Sequence, residues 1–67
     1  MISDWELWAC ANQMVKEHGR GALTKAGQRL LELEAAEDVD GHITWTLILE
    51  RIIKLLRKEP GPGETVQ

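Results

Sequence analysis

Between Ile43 and Leu56, without a single Gly or Pro, the chain places nine large apolar residues: Ile43, Trp45, Leu47, Ile48, Leu49, Ile52, Ile53, Leu55 and Leu56. At helical spacing Trp45, Ile48, Ile52 and Leu55 form one stripe, Leu49 and Leu56 widen it, and Ile43, Leu47 and Ile53 fall on another side. A helix apolar over so much of its circumference must lie at the centre of a fold or meet a partner. The chain has little with which to surround it. Its 67 residues set one compact domain as the ceiling, and the single cysteine, Cys10, makes no internal disulfide. A lone core below about 70–80 residues rarely yields more than ~3–5 kcal/mol unless packing is very good, a metal binds or the chain oligomerises.

Two further helices are legible. Ser3 and Glu6 have the spacing of a capping box, Ile2 and Leu7 that of a hydrophobic staple, and Asp4 and Glu6 suit the positive end of a helix dipole. Trp5, Trp8, Ala11 and Val15 recur as the main stripe of this first helix, flanked by Leu7, Cys10 and Met14, up to a left-handed cap at Gly19 or Gly21. Thr24 is the expected cap of a second helix carrying Ala26, Leu30, Leu31, Leu33 and Ala35. Gly27 inside it implies either close helix approach or a later start. The acidic turn Asp38-Val39-Asp40-Gly41 then supplies carboxylates to cap the third helix. The expected fold is all-α, a three-helix small domain with helices over 4–18, 24–37 and 41–58, sequential neighbours antiparallel, and possible completion by dimerisation. The domain covers 1–59, and Pro60 to Gly63 open a flexible tail over 60–67.

The residues that carry chemistry are few. A cysteine nucleophile needs a base within hydrogen-bond reach, and His18 stands eight residues along the same helix from Cys10, a rise of about 12 Å. Only His42 would approach by tertiary contact, and a small buried hydrophobe is the preferred reading of Cys10. Cys10, His18 and His42 lack the paired spacings of a zinc site. The acidic turn resembles a calcium loop, but with Gly41 in the sixth place Ala36 falls at the first and Leu47 at the twelfth, where ligands are required. No catalytic, cofactor or metal residue is assigned, and the chain reads as a non-enzyme. No run reaches the roughly 18 apolar residues of a membrane span and the start lacks a secretory signal, so a soluble, cytoplasmic protein without membrane association is the expectation.

Arg51, Lys54, Arg57 and Lys58 form a basic ridge on the last turns of the third helix. The net charge of −3 disfavours phosphate, so cations suiting the helix dipole and a Glu50–Lys54 pair are the preferred explanation of the ridge. The three tryptophans, in a chain with no Phe or Tyr, are each read first as core packing, with an interface anchor among them as the second reading.

The segment Glu6-Leu7-Trp8-Ala9-Cys10-Ala11 leading to Glu17-His18-Gly19, the Leu-rich helix with its acidic turn ending at Gly41, and then Trp45, Ile48 and Arg51 together resemble a family of uncharacterised small alphaproteobacterial proteins. The turn sequence and the Lys/Arg-rich stretch after Ile53 depart from that pattern. The resemblance covers most of 4–56 and implies a small helical domain, with no activity and no functional residue to carry over. The functional expectation is a protein-interaction module, contacting a protein partner or a second copy in a homodimer, through Trp5, Trp8, Trp45, Ile48, Leu49, Ile52 and Leu56. A phage or mobile-element inhibitor of a host complex is its more specific form. A nucleic-acid-associated regulator using the ridge is the alternative. Trp45 with Ile48 and Ile52 is expected to anchor the main contact, within the chain or between chains.

Overall fold

The computed structural model describes residues 3–57. They form three helices, α1 (Asp4–His18), α2 (Gly21–Ala35) and α3 (Val39–Arg57), with no strand among the described residues. The Ile2 staple, Lys58 and the 60–67 tail lie outside them. At the start of α1 the Glu6 backbone N–H donates to Ser3 Oγ at 3.2 Å, and the Ser3 backbone N–H donates to Glu6 Oε1 at 3.0 Å. This is the capping box read from the spacing. The Ser3 backbone N–H, then its hydroxyl, hold the Glu6 carboxyl below its ordinary range. A group whose folded pKa is depressed adds stability above its unfolded pKa and loses it as pH falls through the folded value, so the start of α1 is weakened in acid.

The α1–α2 connection differs from expectation. Gly19, at φ 57° and ψ −132°, and Arg20, at φ −65° and ψ −21°, have the dihedrals of a type II′ turn, which demands glycine at its first central position. The chain re-enters a helix at once: the Ala22 N–H donates to the Gly19 carbonyl at 3.0 Å and the Leu23 N–H to that of Arg20 at 3.2 Å. Thr24 is therefore inside α2 rather than its cap, and α2 begins one turn early with no side-chain cap. Gly27 marks no close approach, because a Cβ built there meets nothing within 4 Å.

The α2–α3 corner is built from backbone hydrogen bonds. The Asp38 N–H donates to the Leu33 carbonyl at 2.9 Å and the Glu37 N–H to that of Glu34 at 3.0 Å, the two bonds of a Schellman motif. Its left-handed residue is Glu37, at φ 58°, and α2 ends at Ala35 rather than 37. Asp38 Oδ1 then accepts from the Gly41 N–H at 2.9 Å and caps α3, which starts at Val39 rather than 41. The acidic turn does cap the third helix, two residues earlier than expected. A Cβ at Gly41 would stand 2.8 Å from Asp38 Oδ2 and 3.0 Å from Leu33 Cδ2, so the cap itself requires that glycine. Holding Glu37 left-handed costs roughly 1–2 kcal/mol; glycine would relieve that strain but lose part of the gain to its greater unfolded-chain entropy. Glu37→Gly is accordingly expected to stabilise the fold by about 0.5–1 kcal/mol and raise the thermal midpoint by several degrees in a circular dichroism melt. A lowered midpoint would instead give the Glu37 side chain a structural task at this corner.

Helix α3 is the centre of the molecule: α1 and α2 each pack on it and scarcely touch one another. Among the described residues the buried ones are Leu7 and Ala11 of α1, Ala22 and Ala26 of α2, and Ile48 and Ile52 of α3. Three alanines let the outer helices come close, and the two isoleucines fill the space between. Met14, Val15, Trp45, Leu47, Leu49, Leu55 and Leu56 close over this cluster while staying partly exposed.

Candidate interaction surface

Six of the seven proposed contact residues take part in the fold's own packing or lie beside it. Ile48 and Ile52 are buried, while Trp45, Leu49 and Leu56 rest on the core, so the main contact of α3 is intramolecular. Trp8 is half-buried. Trp5 is the exception at 76% exposure, rotated out of the stripe that Leu7 and Ala11 actually define. Cys10 is exposed as well and not a buried hydrophobe, because the true buried face of α1 runs through Leu7 and Ala11 and leaves Cys10 to one side. No hydrogen bond joins Cys10 to a histidine among the described residues, and no group of three His, Cys, Asp or Glu side chains there gathers as for a metal ion.

The basic ridge breaks up in three dimensions. Arg51 leaves it to bridge α3 and α1: its Nη2 donates to Asp4 Oδ1 at 2.5 Å, and its guanidinium carbon stands 5.2 Å from the centroid of the Trp8 ring. Its side chain is only 16% exposed, and Nε is buried without a partner among the described residues. The α1 face was misread for the same reason, since Trp8 turns towards Arg51 and Trp5 turns away. Lys54 and Arg57 remain exposed, and no Glu50–Lys54 ion pair forms among the described residues.

A different surface emerges at the α2–α3 corner. A groove of about 290 Å³ is lined by Leu33, Val39 and Ile43 with His42, and rimmed by Glu34, Glu37 and Asp38. Val39 is 68% and Ile43 47% exposed. Both belong to the outer stripe of α3, Val39, Ile43, Thr46, Glu50, Ile53 and Arg57, whose three- and four-residue spacing places it opposite Ile48 and Ile52. Ile53, at 37% exposure, continues its apolar part. Ile43 and Ile53 lie on another side of the helix as read, whereas Leu47, read with them, is partly buried against the core. Val39 was missed because it was assigned to the turn; its spacing of four from Ile43 is the signal that would have found it. The groove was missed because its walls belong to two helices joined by the Schellman turn. No helix among the described residues is long and apolar enough to cross a membrane.

Compared with protein families, curated proteins and solved structures, the chain finds no match.

Proposed function

We propose that this chain is a non-enzymatic protein-interaction module that engages its partner through the outer face of α3 and the acidic-rimmed groove beside it. The observation that carries this reading is the exposure of Val39 and Ile43 over the apolar groove floor, in a chain whose buried core holds only two large α3 residues. Exposed apolar residues that adjoin a groove with a charged rim have the make-up of an interface rather than of a solvated helix. Glu34, Glu37 and Asp38 give the rim a sign that favours a partner with basic and apolar side chains together. The nucleic-acid alternative loses support, because Arg51 is committed to Asp4 and Trp8 and only Lys54 and Arg57 of the described ridge stay free of ion pairs.

Affinity capture from the source cell with tagged parent and Ile43→Glu chains, followed by mass spectrometry, tests this function. A protein recovered with the parent and lost with Ile43→Glu, while circular dichroism shows the variant as helical as the parent, is the expected result. Equal recovery with both chains counts against the proposed surface. Binding to duplex DNA or RNA that falls steeply with salt and vanishes on reversing Lys54 and Arg57 would replace the reading with the nucleic-acid one.

A further inference from the structure

The interaction surface has opposite charges at its two ends. At the N-terminal end of α3 stand the groove and its rim of Glu34, Glu37 and Asp38, followed by Asp40. At the C-terminal end, on the same outer side, stand Ile53, Lys54 and Arg57. Val39 and Arg57 are 18 residues apart on one helix, a rise of about 27 Å. A surface that is acidic with an apolar groove at one end, and basic with an apolar residue at the other, is complementary to its own copy turned end over end.

Building on the interaction reading above, we propose that the occupant of the groove is a second copy of this chain, bound by antiparallel pairing of the two α3 helices about a two-fold axis. With the axis level with Ile48, Ile43 of one protomer lies opposite Ile53 of the second copy, Val39 opposite Arg57, and Thr46 opposite Glu50. Ile53 then enters the groove between Leu33, Val39 and Ile43, and Arg57 reaches the Glu34 and Glu37 carboxylates. Lys54 falls near Asp40. Every such contact occurs twice, as a closed two-fold interface requires. Glu50 faces Thr46 in this register, so no like charges are set opposite each other along the stripe. The axis passes over the outer face of α3, and the intramolecular core around Ile48 and Ile52 stays intact. One helix pair is smaller than the standard interface of about 1,600 Å², so association is weak and concentration-dependent, with a micromolar dissociation constant.

Sedimentation of the purified full chain alone, from about 1 to 500 µM, tests this pairing across the micromolar range. The parent is expected to move from one chain mass to two, and to do so less readily at high salt, because the end contacts are ionic. Ile43→Glu should remain a folded monomer. Reversing Lys54 and Arg57 to Glu should weaken association about tenfold or more, and adding Glu34→Lys and Glu37→Lys in the same chain should restore it. A parent that stays monomeric throughout overturns the second copy as occupant, and leaves the capture of a foreign protein to decide the broader function. A dimer indifferent to Ile43→Glu, or one that charge reversal weakens and the compensating reversal fails to restore, overturns the antiparallel register.

Discussion

Ile52→Ala is expected to cost about 2–5 kcal/mol, the range for deleting a large aliphatic side chain from a packed core. Ile52 is wholly buried in the C-terminal half of α3, in the cluster to which α1 and α2 both contribute. The alanines of the outer helices offer no long side chain to fill the space, so the cavity would collapse little and the cost should fall in the upper half of that range. A core of this size supplies only ~3–5 kcal/mol in total. The variant should therefore be largely unfolded at 25 °C, with its far-ultraviolet circular dichroism reduced even without denaturant. Trp45→Ala should be milder than its size suggests, since Trp45 rests partly exposed on the core instead of within it. A Trp45 variant that unfolds while the Ile52 variant melts like the parent would move the centre of the core towards the start of α3.

Ala26→Leu is expected to destabilise by about 1–3 kcal/mol or more, although leucine is apolar and nearly as good a helix former as alanine. Ala26 has no exposed surface, like Ala11 and Ala22, and lies in the cluster with Ile48 and Ile52. Three further carbons at a position with no exposed surface must displace the side chains clustered around it, so α2 must move off α3. Moving it strains the corner where Asp38 both closes the Schellman turn and caps α3. Urea denaturation followed by tryptophan fluorescence measures the loss. Gly27→Leu, one residue along on a side with open space for a Cβ, should stabilise by several tenths of a kcal/mol and serves as the control. If both substitutions leave the midpoint unchanged or raise it, the alanine contact between α2 and α3 is looser than its burial indicates.

The two substitutions probe features that the sequence reveals to different degrees. The apolar stripe of Ile48 and Ile52 is written in spacing alone, because buried positions on one helix must recur every three or four residues. The capping box at Ser3 and Glu6 is equally local and is present as read. Ala11, by contrast, was read as one member of a stripe that also contained Trp5, and the structure keeps the alanine and rejects the tryptophan. Both lie at helical spacing from Trp8, and hydrophobicity favours the larger residue. Closeness to α3 decides instead, since an alanine lets the helix axes approach while a tryptophan at the same contact would hold them apart.

Much of the interaction surface was hidden for a related reason. Glu37 does not announce a left-handed conformation, because a charged residue takes it only where the turn around it imposes it. With that turn in place, Val39 leaves the connection and joins α3, and Leu33, Glu34 and His42 come together as walls of one groove. Arg51 reads as one of four cations on a solvated ridge until α1 supplies Asp4 and Trp8 from 47 and 43 positions away in the sequence. The sequence by itself determined three helices, the apolar stripe of α3 and the caps at Ser3 and in the acidic turn, since these depend on residues within a turn or two of one another. Only the tertiary structure decided which tryptophan faces water, which arginine is tied down and where the groove opens, because those outcomes depend on how closely separate helices approach, and local spacing carries no record of that distance.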